Sequence, residues 1–172
     1  MLQILLYAYR VLGISKDIIG IAFSIGALGF VAGVFAVSFL TKRLGIGKAV
    51  AFSCLANFSQ LLVLFAGGDY AVVVIGLAFF VAYAGLPIYN INMVSLRQVI
   101  TPNRLQGRMN ATMRTIVWGT VPLGALFGGV FATSLGLVPT LVIGAVVSGF
   151  AALWIILGPI FKLQKQPDPV KD

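Results

Sequence analysis

The chain has 172 residues, of which 60% are hydrophobic and only 9% charged, with a mean hydropathy of +1.06. A soluble domain carries about 25% charged residues, and this chain has too little charge to cover a water-facing surface. Twelve Lys and Arg against four acids give a net charge of +8, but the basic residues sit in gaps between apolar spans. That pattern points to a lipid bilayer and away from a nucleic-acid partner. The lone Cys54 lies inside a span and there is no His. No disulfide framework or thiolate metal site is therefore available, the commonest metal ligand and general base is missing, and neither a metal nor a cofactor is implied.

Met1 to Leu12 is apolar apart from Gln3 and Arg10, but twelve helical residues rise only about 18 Å. The segment is too short to span, and it lacks the positive n-region and small-residue cleavage site of a signal peptide. It reads as the outer half of a sixth helix whose inner half is absent, so the chain reads as a fragment; a short re-entrant segment is the alternative. Uncharged stretches follow at Ile18–Leu40, Ala49–Gly68 and Tyr70–Leu96, each matching the roughly 20 residues that cross a bilayer core. Thr115 to Phe161 is uncharged for 47 residues, about 70 Å as one helix, so it must fold back. Ser134-Leu135-Gly136-Leu137-Val138-Pro139 supplies the turn. The expectation is an all-α polytopic membrane protein, with a partial helix over 1–12 and full helices over 18–40, 49–68, 70–96, 110–133 and 138–161. Residues 1–161 form the transmembrane bundle and 162–172 a tail.

The charges orient these spans. Lys42, Arg43, Lys48, Arg97, Arg104, Arg108, Arg114, Lys162, Lys165 and Lys171 fall on one side, whereas Arg10, Lys16, Asp17 and Asp69 fall on the other. Positive residues mark the cytoplasmic side, which places the C-terminus inside and the Gly13–Asp17 loop outside.

Small residues recur at packing spacing: Gly29 with Gly33, Gly124 with Gly128, Ala145 with Gly149, and Gly144 with Ser148 and Ala152. In lipid such positions let helix backbones approach, and the same contacts could slide or rock. Polar residues inside spans usually face the protein interior. Ser53, Asn57 and Gln60 share a face of the second full helix and read as interhelical hydrogen bonds or as ligand contacts. On the third, Tyr83, Pro87 and Asn90 share a face, with Tyr89 and Asn92 nearby. Pro87 removes a backbone donor and frees a carbonyl that a cavity or polar neighbours must satisfy. Cavity lining and plain packing both fit this face. Trp118 and Pro122 form a similar set on the fourth full helix. Arg10 either snorkels to the outer surface or meets a substrate, and Arg114 can reach the cytoplasmic face. No Asp or Glu lies within a span, so a carboxylate relay for protons or cations is not in this stretch of chain. Paired acids, H-E-x-x-H and a P-loop are missing too, which argues against an enzyme.

Several stretches carry a resemblance. Leu12-Gly13-Ile14-Ser15 with Gly20, then Gln98, Thr101-Pro102 and Leu105-Gln106-Gly107-Arg108, and finally Pro122-Leu123-Gly124 with Gly128-Gly129, resemble the C-terminal half of a major facilitator superfamily transporter. The likeness is greatest to the bacterial branch of enterobactin exporters and macrolide-efflux proteins. Ser38 to Lys48 resembles the superfamily's G-x-x-x-D-R-x-G-R-R loop in degenerate form. Arg43 and Gly45 match, Ser38 replaces the first glycine, Lys42 replaces the acid, and Ile46 and Gly47 replace the two basic residues.

The resemblance implies two six-helix halves with a substrate site between them and alternating access. It further implies a missing N-terminal six-helix half as partner, a small amphipathic substrate of drug or siderophore type, and efflux by antiport in the bacterial plasma membrane. Tyr83, Asn90, Trp118 and Arg10 become candidate substrate contacts. Lys42, Arg43, Gly45, Arg104, Gly107 and Arg108 become candidates for the cytoplasmic gate. Pro87, Pro122, Gly29, Gly33, Gly124 and Gly128 are candidates for kinks or packing. A half-size dimerising transporter and a non-transporting membrane scaffold are the alternatives.

Overall fold

The computed structural model describes residues 7–9, 11 and 13–167, and among them regular structure is helical, with no strand. Among the described residues, five helices are long and apolar enough to cross a membrane. We label them α1 (Lys16–Leu44), α2 (Ile46–Leu55), α3 (Ala71–Val99), α4 (Asn103–Ser134) and α5 (Leu137–Leu157). The second crossing is composite, because α2 runs on as a 3-10 helix over Ala56–Phe65. A short 3-10 turn at Gly68–Tyr70 leads into α3, and another at Pro159–Lys162 follows α5. The fold-back in the long apolar stretch falls at Leu135-Gly136. There Gly136 has φ 92°, a left-handed conformation that suits glycine.

The helices outrun the apolar stretches. α1 continues past Leu40 through Lys42 and Arg43 to Leu44, and α3 past Leu96 through Arg97 to Val99. A helix satisfies its own backbone as it leaves lipid, and cations in its last turn meet the negative end of the dipole. α4 starts at Asn103, seven residues before the apolar run suggests, directly after Pro102. Gln106 Nε2 bonds Asn103 Oδ1 (3.1 Å) and the Gln98 carbonyl (3.2 Å), tying the start of α4 to the end of α3. α5 stops at Leu157, four residues early, because Gly158 is extended (ψ 165°) ahead of Pro159. A residue preceding proline disfavours the helical region.

α1 against α3 is the most extensive helix pairing, and its seam is made of glycines. A Cβ at Gly29 would sit 2.7 Å from Phe80 Cα, and one at Gly33 would sit 2.7 Å from Pro87 Cγ. The first small-residue pair is thus a close backbone contact, as lipid-phase packing requires. Of the two stripes on α5, the one of Ala145 and Gly149 is packed: Phe58 of the 3-10 helix rests on Gly149, and Ala145 is buried, whereas in the stripe of Gly144, Ser148 and Ala152 the buried member is Ala152. Gly144 meets nothing within 4 Å among the described residues, and Ser148 bonds the Gly144 carbonyl within its own helix. Gly124 on α4 is equally open, and Gly128 is half-buried.

The two ends of the bundle are built differently. Tyr7, Ala8, Ile14, Ala22, Val63, Ala66, Ala71, Ile75, Ala78 and Phe79 form one continuous apolar cluster at the end holding the 68–70 turn. The opposite end carries Lys42, Arg43, Lys48, Arg97, Arg104 and Arg108 and, among the described residues, a small cluster of Val37, Ala49 and Ile88. Of the expected partial helix over 1–12, residues 7–9 are helical; Arg10 lies outside the described residues.

Candidate functional site

Two cavities open toward the basic end. The first, about 320 Å³, lies between α3 and α4 and is lined by Asn90, Arg97, Gln98, Asn110, Arg114 and Trp118 among others. Spacing explains the arrangement. Asn90, Val94 and Arg97 stand at i, i+4 and i+7 on α3, and Asn110, Arg114 and Trp118 at i, i+4 and i+8 on α4, so each set shares one helix face. Asn90 Nδ2 donates to the Leu86 carbonyl (3.0 Å) and Arg97 Nε to the Met93 carbonyl (3.1 Å). Pro122 lacks an N–H, which leaves the Trp118 carbonyl without its usual i+4 donor beside this cleft. The cleft therefore offers amide groups, two guanidinium groups and an indole along one wall of α3 and one of α4. Its aromatic and cationic surface suits an amphipathic molecule.

Asn90 and Trp118 are brought together here, and Tyr83 is not. Tyr83 packs edge-on to Phe79 with ring centroids 6.2 Å apart, and its ring lies close against Gly26 of α1. The reason is the crossing angle of α1 over α3. α1 meets Gly76, Phe79 and Tyr83 at one level and Ile88 and Asn92 at the next. The covered face thus migrates around α3, and Tyr83 falls under it whereas Asn90, one heptad on, falls outside. Pro87 is buried against Gly33 and so belongs to the seam; Pro122 is exposed on α4. Asn110 and Arg114 belong to this cleft through the same i, i+4 spacing, a signal present in the sequence but masked by the reading of Arg114 as an interfacial anchor.

The second cavity is larger, about 660 Å³, and holds Lys42, Arg43 and Gly45 together with Lys48, Asn92 and Lys165. Gly45 has φ 83°, is buried, and donates to the Thr41 carbonyl (3.0 Å). The chain after α5 folds back over it: Gly47 N donates to the Leu163 carbonyl (2.9 Å), and Gln166 Nε2 bonds Ser95 Oγ. Arg104, Gly107 and Arg108 do not line this cavity. They lie exposed at the start of α4, and Gly107 has nothing within 4 Å among the described residues. The two sets of expected gate residues occupy separate parts of the same end.

The polar face Ser53–Asn57–Gln60 is mostly satisfied locally. Ser53 Oγ bonds the Val50 carbonyl, and Asn57 the Cys54 carbonyl. In a 3-10 helix side chains at i and i+3 eclipse, which sets Gln60 Nε2 against Asn57 Oδ1 (3.4 Å). The interhelical bond comes from Ser59, whose Oγ donates to the Ala78 carbonyl of α3 (2.8 Å).

A bundle of membrane-length helices with a glycine seam and polar clefts opening at one end is the setting for a family comparison. The profile of the Major Facilitator Superfamily matches residues 1–172. The chain belongs to the major facilitator superfamily. No curated protein and no solved structure matches it. Membership makes it a multi-pass membrane protein of a transporter family that is generally non-enzymatic.

Proposed function

We propose that this chain is one six-helix half of a secondary active exporter of small amphipathic molecules, completed by a second half that walls the cleft between α3 and α4. One observation carries the reading. α4 is the longest helix, with 32 residues, yet it buries none of them, and Ile116, Val117, Trp118, Val121 and Leu126 are all exposed. It stands beside a cleft lined with Asn, Gln and Arg. A membrane helix flanking polar groups needs a protein surface opposite, because those groups are costly against lipid. Alternating access by rocking of two halves around such a site accounts for a cleft with one wall missing. The basic loops would face the cytoplasm of a bacterial plasma membrane, with the C-terminus inside, and antiport with protons would use carboxylates of the other half.

The test is reconstitution. The chain alone in proteoliposomes should move no fluorescent amphipathic dye under an imposed proton gradient, and the chain joined to a second six-helix half should move it. Asn90→Ala or Trp118→Ala in the joined protein should alter the order of preferred substrates, whereas a scaffold would tolerate both. Gradient-driven movement by the chain alone, as a crosslinkable homodimer, would replace this reading with that of a dimerising half-transporter.

A further inference from the structure

The larger cavity at the basic end has a chemistry that transport does not require. Four cationic side chains line it, Lys42, Arg43, Lys48 and Lys165, and no carboxylate among the described residues does. The same cavity has an apolar flank of Val37, Leu44, Ile46 and Ile91. Its volume, about 660 Å³, falls within the roughly 300–1,000 Å³ of small-molecule sites. It is a built recess. Gly45 and Gly47 let the strap after α5 lie directly on the α1–α2 turn, and Gln166 pins that strap to Ser95 of α3. Thr41 Oγ1 to Asn92 Oδ1 (3.1 Å), with Asn92 Nδ2 to the Ile88 carbonyl (2.8 Å), fixes the inner wall. The Arg43 guanidinium is held 5.1 Å above the Phe39 ring.

We infer that this recess binds the phosphate headgroup of an anionic phospholipid, with the lysines around the phosphate and an acyl chain leaving along Val37 and Ile91. Three features select that ligand. The recess lies where α1 ends and α2 begins, just past the apolar run that ends at Leu40, which is the level expected for headgroup phosphates. Basic pockets between membrane helices hold anionic headgroups, with a contribution of roughly fivefold in affinity per nearby Lys or Arg. The apolar flank favours an amphipathic anion over a free one.

The experiment is native mass spectrometry of the full chain in detergent, titrated with phosphatidylglycerol, with phosphatidylcholine and with inorganic phosphate. Phosphatidylglycerol should bind at least about tenfold more tightly than phosphatidylcholine. The combined variant Lys42→Gln, Lys48→Gln and Lys165→Gln should lose about a hundredfold of that affinity, and the corresponding Lys→Arg variant should keep it. Arg104→Gln with Arg108→Gln, on the same end but outside the recess, should change it less than twofold. Lys165→Gln alone, beyond the last helix and so harmless to folding, should cost about fivefold. Equal affinity for the two lipids would overturn the inference. So would a loss from the Arg104 and Arg108 variant as large as from the lysines, which would make the effect one of diffuse surface charge. Displacement of lipid by millimolar inorganic phosphate would assign the site to the free anion instead. None of these readings depends on transport, so failure of the joined protein to transport, with the chain still selecting phosphatidylglycerol, would refute only the exporter proposal.

Discussion

Gly33→Ala tests the seam on which the bundle depends. A Cβ at Gly33 would lie 2.7 Å from Pro87 Cγ and 2.9 Å from the Ala84 carbonyl carbon, and closer still to the carbonyl oxygen, all inside the 3.0 Å that real Cβ atoms respect. The obstacles are a proline ring and a backbone carbonyl, neither of which can rotate aside, so α1 and α3 must separate by several tenths of an ångström. Overpacking of this kind costs about 1–3 kcal/mol, and rigid obstacles put it near the upper figure. Alanine returns about 1 kcal/mol of helix propensity, leaving a net loss near 2 kcal/mol, about thirtyfold in the folding equilibrium. Gly29→Ala meets the Phe80 backbone in the same manner, but one separation relieves both collisions, so the double variant should lose clearly less than the sum. Gly124→Ala, with nothing within 4 Å among the described residues, should be neutral or gain up to about 1 kcal/mol. Equilibrium unfolding in mixed detergent micelles, followed by far-ultraviolet circular dichroism, reads all four. A neutral Gly33→Ala beside a destabilising Gly124→Ala would mean that α4, and not α1 and α3, forms the central contact.

Other consequences follow from single contacts. Ser59→Ala removes a hydroxyl bond from the 3-10 helix to α3 and should lower stability by about 0.6 kcal/mol, the mean for such bonds in membranes; the same unfolding titration checks it. Gly47→Ala would place a Cβ 2.6 Å from the Phe161 carbonyl carbon and lift the strap, so trypsin should cut after Lys162 and Lys165 about tenfold faster, a strain of roughly 1.4 kcal/mol. Trp118 is 73% exposed, so Trp118→Ala should alter stability by less than about 0.5 kcal/mol while changing substrate preference in the completed transporter.

Hydropathy and charge made the five crossings and the basic end legible, since both are properties of residues counted along a line. The seam was legible at Gly29 and Gly33, whose spacing of four places them on one face of α1, but not at Gly124, which has the same spacing and nothing within 4 Å among the described residues. Spacing says which residues share a face; it does not say what faces them. Tyr83 and Asn90 make the same point within one helix. Seven residues apart, they share a face by count, yet α1 crosses at an angle and covers only the first. The strap after α5 was read as a tail because Lys162 to Gln166 is polar, and no local pattern predicts that Leu163 would accept from Gly47. The cleft residues Asn110 and Arg114 were within reach, since they repeat with Trp118 at helical spacing.

The ten-residue 3-10 helix is the least expected element, because such runs rarely exceed three or four residues. Its length has a geometric cause. The second crossing, Ile46–Phe65, has only 20 residues, beside α1 and α3 with 29 each. As pure α-helix it would rise about 30 Å against roughly 44 Å for its neighbours. At about 2.0 Å per residue, ten 3-10 residues add about 5 Å and bring the crossing to about 35 Å. The stretch also changes rotation, about 1,200° over ten residues at three per turn. Twelve α-helical residues turn through the same 1,200° and rise about 18 Å instead of 20 Å. Two alanines inserted after Leu61 should therefore let Ala56–Phe65 relax to α-helix with both ends in register, holding or raising stability. One alanine leaves a mismatch of about 100° and should swing Val63, now fully buried, out of its cluster at a loss of about 2 kcal/mol. If the single insertion is the better tolerated of the two, the 3-10 geometry does not come from a crossing stretched to match its neighbours.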